Sequence, residues 1–289
     1  MKARKIKRNQ MTPPVRTLNK LLLVVLFISM VLPLLNVLAI SFSSPQASMS
    51  PGLMLLPREF SVSGFVYIWT RANLWRPFLN SLFVTTVGTV FQIFLSAIAG
   101  YVLIKKDLPF RRFILVFIMT TMMIPGELTL VSVYTLYRDL NLLNTYTGLI
   151  TNGLVSGFSI LLLKNYFESI PHSVSEAATL DKAGEFKIFR KIYLPLSIPG
   201  LVTVGFISFV SKWNTLMVPV SIITDQDKYT LPMVLQALVF NTSSTSGTEF
   251  IAPNAVMAAI VISVVPLIVV YVIAQKFLVS GMTIGAVKG

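Results

Sequence analysis

Two ionisable side chains stand in otherwise apolar surroundings: Glu127 in the stretch TMMIPGELTL and Lys212 in FVSKWNTL. A charge in such a setting is costly unless it faces a cavity, a partner charge or a ligand, so each is a candidate for recognition chemistry. Trp213 and Asn214 follow Lys212 directly. An indole face can stack on the apolar side of a pyranose while an amide bonds its hydroxyls, and a cationic Lys212 would suit an acidic oligosaccharide such as a uronate fragment. Plainer readings fit the same residues. Glu127 can lie near lipid headgroups once Pro125 and Gly126 have ended its helix, Lys212 can snorkel, and Trp213 can be interfacial or pack a seam.

Other chemistry is excluded by what the chain lacks. With no cysteine, disulfides, thiolate catalysis and cysteine zinc sites cannot occur, and the single histidine, His172, cannot build a histidine metal site alone. No metal and no cofactor is expected in this chain. There is no G-x-x-x-x-G-K-[ST] phosphate loop and no Gly-Lys pair, so ATP hydrolysis by that device is absent too, and the chain is not expected to be an enzyme.

A third group lies in the polar segment IPHSVSEAATLDKAGEFKIFRKIYLPLSIPG. It reads as helix, turn, helix. Ser173 followed by Glu176 has capping-box spacing, Gly184 suits the left-handed residue that closes a first helix, and Glu185 suits the first turn of the next. In that second helix Lys187, Arg190 and Lys191 fall at i, i+3 and i+4 on one basic face, beside an apolar face of Phe186, Phe189 and Tyr193. Attraction to anionic lipid or contact with a partner protein would each use the basic face.

The elements that must position these groups follow from composition. Of 289 residues 54% are hydrophobic and only 12% charged, so long apolar runs are left that suit a bilayer rather than one soluble core. Six crossings are expected, over about 21–40, 80–104, 113–136, 147–163, 201–223 and 255–274, each a helix because a helix satisfies its own backbone groups in hydrocarbon. The fold class is thus an all-α polytopic membrane protein. The N-terminus resembles a signal peptide in order, basic then apolar, yet its apolar part is too long and lacks a cleavage site, so it reads as a retained helix.

Most of the 24 basic residues fall before the first crossing, between the second and third, between the fourth and fifth, or after the sixth. Only Arg58, Arg71, Arg76, Arg138 and Lys228 lie on the other side, which places both termini in the cytoplasm. The net charge of +13 is spread over these short blocks, so nucleic acid is not an expected partner whereas membrane lipid is. Five regions follow: a basic cytoplasmic segment 1–20, the first helix 21–40, an extracytoplasmic loop 41–79, a core 80–279 and a cytoplasmic tail 280–289. The core includes a cytoplasmic loop 165–199 and an extracytoplasmic loop 224–253. From depth along their helices, Glu127 and Lys212 are expected either to pair or to line a shared path, at about 20 Å from the cytoplasmic side.

Glu176-Ala177-Ala178, Gly184 eight residues after the glutamate, and Leu194-Pro195 resemble the cytoplasmic EAA loop of bacterial ABC importer permeases. Asn80-Ser81, Trp213-Asn214, Tyr229-Thr230-Leu231-Pro232 and the ending from Gly281 to Gly289 are similar to the carbohydrate-uptake branch, of the maltose permease type. Lys182 departs from the pattern, which more often has glycine there. The resemblance implies a binding-protein-dependent permease of the inner membrane, with Glu176, Ala177, Ala178, Asp181 and Gly184 forming a coupling helix seated in a cytoplasmic ATPase. It also implies a second, homologous permease chain, two ATPase subunits holding ATP and Mg, and an extracytoplasmic sugar-binding protein. Glu127, Lys212, Trp213 and Asn214 then become the candidate translocation path, and the tail is expected to be too flexible to form a helix alone.

Two other classes compete. An ion-coupled secondary transporter needs acidic residues paired across helices, of which only Glu127 is available, and an intramembrane hydrolase needs a nucleophile and base that the chain does not offer. Within the resembled family, a non-sugar solute is the alternative cargo.

Overall fold

The computed structural model describes residues 13–243 and 251–286, which are mostly helical. The basic run between Lys2 and Arg8 lies outside the described residues. The chain divides into two compact units, residues 1–72 with 241–262, and 73–240 with 263–289.

In the first unit, α1 (Pro13–Ser41) is a 29-residue apolar helix, with outward side chains such as Leu23 and Phe27 more than 60% exposed. Without a membrane this exposure would be prohibitive; in lipid it is the favoured state. The chain after it forms α2 (Pro45–Ser48), capped by the Ser44 side chain, and α3 (Ser63–Thr70). Buried Asn254, near the start of α15 (Pro253–Ala286), donates to the Ser43 carbonyl and the Ser63 hydroxyl, binding this segment together.

The second unit is organised around α4 (Trp75–Leu103), whose two faces have opposite character. Ser81, Thr85, Gly88, Gln92, Ser96 and Gly100, spaced three or four apart, are buried, whereas Phe83, Phe91 and Phe94 are exposed. Small and polar side chains face the neighbouring helices, and bulky apolar ones face outward, as a membrane helix requires. At Gly100 a Cβ would lie 3.0 Å from the Lys164 backbone nitrogen, so the glycine permits close approach of α8.

The remaining helices are short. They are α5 (Arg111–Met122), α6 (Leu130–Asp139), α7 (Tyr146–Thr151), α8 (Gly157–Glu168), α9 (His172–Leu180), α10 (Glu185–Ile188), α11 (Leu194–Leu196), α12 (Ile198–Trp213), α13 (Met217–Ile222) and α14 (Leu231–Ser243). A π-helical turn over Phe189–Tyr193 joins α10 to α11.

Among the described residues three helices are long and apolar enough to cross a membrane alone, and up to five spans result if each sharply bent pair counts as one. The chain turns by 91° between Arg111–Met122 and Gly126–Asp139, where Pro125 and Gly126 interrupt the ladder, and by 76° between Glu185–Leu196 and Ile198–Trp213. The run expected as one crossing over 147–163 is two helices, α7 and α8, separated by a turn at Asn152 to Ser156. Within the loop 224–253 the chain forms the apolar helix α14, and the tail is helical as far as Ala286 as a continuation of α15 rather than alone. Residues 287–289 lie outside the described residues.

Candidate functional site

The segment 165–199 is anchored at one end of the second unit by an aromatic cluster. Tyr101 from α4, Phe167 from α8, and Phe189 and Tyr193 from the π turn are all buried, with Tyr101 centred 4.9 Å from both Phe189 and Tyr193. Ala178 packs against this cluster, and Ala177 is exposed. Beyond it α9 projects with no fully buried residue. Glu176 and Asp181 are exposed on this projection, and Leu180 and Phe186 are 85% and 73% exposed.

Three local expectations are corrected here. The residue before α9 is Pro171 and no side chain caps it, so Ser173 and Glu176 lie inside the helix and form no capping box. The left-handed residue closing α9 is Lys182, at φ 57°, while Gly184 is extended at φ −69° and begins the next turn. A Cβ at Gly184 would meet nothing within 4 Å, so neither dihedral strain nor internal crowding demands glycine there. Phe186 leaves the apolar face, which is formed by Ile188, Phe189 and Tyr193 instead, because the π turn shifts the register of the buried stripe. Lys187, Arg190 and Lys191 are all exposed.

Glu185 was visible in the sequence only as a favourable first-turn charge, yet it forms the tie between α4 and this segment. The Tyr101 hydroxyl donates to its carboxylate at 2.6 Å and Lys105 Nζ meets the same oxygen at 2.5 Å. The ammonium also stands 4.7 Å from the centre of the Tyr101 ring. Hydrogen bonds from Lys105 and Tyr101 hold the Glu185 carboxyl below its ordinary value. A second tie is Arg111, whose Nε donates to the Leu103 carbonyl and whose guanidinium pairs with Glu168. Tyr101 and Lys105 gave no sequence signal, since their role depends on a residue 84 positions from the tyrosine.

Lys212 lies near the end of α12. Its ammonium donates to the carbonyls of Asn152 and Gly153 at 3.0 and 3.1 Å, at the C-terminal end of α7, where a positive charge is favourable. Its stem runs over Gly88 of α4, where a Cβ would lie 3.2 Å from Lys212 Cδ. The ammonium borders a cavity of about 400 Å³ whose lining also includes Gln92, Ser156, Ser159, Ser208 and Ser211. Gln92 donates to the Ser159 hydroxyl at 3.0 Å.

Glu127 stands apart from this arrangement. It is exposed in the short 3-10 turn Gly126–Thr129, it is not in the lining of the Lys212 cavity, and no ion pair joins it to Lys212 among the described residues. Trp213 is 2% exposed, stacked on Phe209 at 5.8 Å, and donates its indole N–H to the Ser263 carbonyl. Asn214 donates to the Val210 carbonyl of its own helix and, with Trp213, borders a second cavity of about 320 Å³. The four candidate path residues are therefore not one cluster.

At the other end of α4, buried Asn80 accepts from the Tyr146 hydroxyl and donates to the Asp227 carbonyl, while Arg76 pairs with the Asp227 carboxylate. The Leu231 N–H donates to the Ser81 hydroxyl at 2.7 Å.

The sequence model of the binding-protein-dependent transport system inner membrane component family matches residues 92–284. The chain is 32% identical over 267 residues to the polygalacturonan/rhamnogalacturonan transport system permease protein YtcP of Bacillus subtilis, covering 90% of this chain and 93% of that one. It is 30% identical to the arabinooligosaccharides transport system permease protein AraQ of Halalkalibacterium halodurans, covering 90% and 91%. Among solved structures, a chain of a bacterial ABC transporter involved in the import of the acidic polysaccharide alginate superposes with a TM-score of 0.84 at 26% identity, covering 94% of this chain and 99% of that one. The chain belongs to the binding-protein-dependent transport system inner membrane component family, as a multi-pass inner-membrane permease subunit of an ABC transporter rather than an ATPase.

Proposed function

We propose that this permease carries a sugar or oligosaccharide delivered by an extracytoplasmic binding protein, and that partner ATPases drive it through the segment Glu176 to Gly184. The observation that supports the drive most is the projection of α9 from a tied aromatic base, with Leu180 of α9 and Phe186 of α10 exposed. Apolar surface displayed on a polar segment needs a protein to cover it. Ala177, Asp181 and the open space at Gly184 suit close approach by a cleft, and Glu176 offers a charge to a basic residue across it. The exposed face of Lys187, Arg190 and Lys191 then attracts anionic lipid beside that contact.

The sugar assignment is supported by the substrates for which the relatives are named and by the bonded pairing of the two carbohydrate-type segments, Asn80-Ser81 and Tyr229 to Leu231. In this reading six spans cross the membrane, with α7 and α8 together making the fourth, and both termini are cytoplasmic. A second, homologous permease chain completes the path, and ATP with Mg is held in two partner ATPases. Alternating access is rigid-body rocking of the two permeases.

The test is ATP-driven uptake by the complete assembly in proteoliposomes, with native chain and with residues 176–184 scrambled. Import of an oligosaccharide that requires both ATP and the intact segment is expected. Uptake by the scrambled chain equal to native would remove the coupling role.

A further inference from the structure

Lys212 has three N–H donors, and two are committed to the carbonyls of Asn152 and Gly153. Among the described residues no carboxylate meets it, and neither of the cavities it borders has an aspartate or glutamate in its lining. Glycine at position 88 allows its stem to lie along α4 and its ammonium to stand at the cavity edge. The two carbonyls at the end of α7 stabilise this cation in part, and its third donor and uncompensated charge are left for a group that enters the cavity.

A second, independent observation comes from Ser208. Its side chain is 3% exposed, its hydroxyl has no hydrogen-bond partner, and it lines the same cavity of about 400 Å³. Buried hydroxyls are normally paired; this one is closed off in the rotamer seen, and a turn about χ1 would bring its donor to something that enters. The volume accommodates one or two sugar rings.

We propose that this cavity is a subsite for the carboxylate of a uronic acid unit, with Lys212 meeting the carboxylate and Ser208 bonding a neighbouring ring oxygen. The cargo class is then an acidic oligosaccharide. The proposal rests on the oligosaccharide-importer reading given above. It differs from a helix-capping role for Lys212, which would be indifferent to the charge of the cargo.

The test compares uptake of tri-galacturonate with uptake of the same trisaccharide after its carboxylates are reduced to alcohols, using the complete ATP-supplied assembly in proteoliposomes. The readout is the ratio of acidic to neutral uptake. A high ratio in the native assembly is expected to fall about tenfold in Lys212→Met, as a charge-assisted hydrogen bond is lost, and to stay within about twofold of native in Lys212→Arg. Ser208→Ala removes a hydroxyl that bonds nothing in the protein, so it tests the subsite without disturbing the fold. A fall of about threefold in the ratio is expected.

A native ratio near one, or a ratio unmoved in both Lys212→Met and Ser208→Ala, overturns the subsite. If neither trisaccharide enters while neutral arabinotriose does, the importer reading stands and the subsite falls. If no sugar enters under ATP, the importer reading itself falls and the subsite with it.

Discussion

Asn80 and Tyr229 are joined by a 2.9 Å hydrogen bond from the asparagine amide to the tyrosine carbonyl, across 149 positions of sequence. The same amide reaches the Asp227 carbonyl, so one buried side chain holds two points of a loop against the start of α4. Replacing Asn80 with alanine strands both carbonyls and the Tyr146 hydroxyl. A loss of about 2–3 kcal/mol of stability is expected, read as a lower thermal midpoint of the purified protein in detergent. Asn80→Asp, which removes the donors and keeps the acceptors, should recover little of it.

Lys182 holds a left-handed backbone that glycine adopts without penalty. Lys182→Gly is therefore expected to stabilise the end of α9 by about 1 kcal/mol, partly offset by the greater freedom of the unfolded chain. Stronger protection of the amides of Asp181 to Ala183 against hydrogen exchange would show it, and unchanged protection would argue against the strain.

Gly184 presents the reverse case, since the chain itself does not need it. In Gly184→Leu the isolated chain should melt as native does, while ATP-driven uptake falls by about tenfold if a partner closes over this position. Equal losses of melting temperature and uptake would place the glycine's role inside the fold.

Glu185 supplies a pH dependence of known sign. Its carboxyl is held below the ordinary value by Lys105 and then Tyr101, so its contribution is fully present above the ordinary glutamate value of 4.5 and is lost as pH falls through the lowered one. Glu185→Gln should reduce the thermal midpoint at neutral pH, and the gap to native should close in acid. A gap that persists unchanged in acid would exclude the ionised carboxylate as its source. Because the side chain is largely exposed, the gap is expected to be small.

Much of this architecture was legible in the chain. Charge-free runs located the long helices α1, α4 and α15, because a bilayer imposes length and apolarity directly on sequence. Pro125-Gly126 foretold the break before Glu127. Glu176 to Gly184 identified the projecting segment, although its closing geometry belonged to Lys182 and not to Gly184. Less readable was the split of residues 147–163 into α7 and α8, since a turn inside protein can satisfy its backbone from a neighbour, here from the Lys212 ammonium. The separation of Lys212 from Glu127 was hidden for the same reason. Depth along a helix says nothing of which way the side chain points, and carbonyls, which every residue carries, leave no mark in a sequence.

The bond between Tyr101 and Glu185 fixes the projecting segment to one end of a 29-residue helix whose other end carries Asn80. That helix is a lever about 44 Å long, and a five-degree tilt at its clamped end sweeps the opposite tip through about 4 Å. Under the proposed drive, a tug at the fulcrum would be amplified into that stroke, and stiffness along the beam, rather than any relay of side chains, would set how faithfully it arrives.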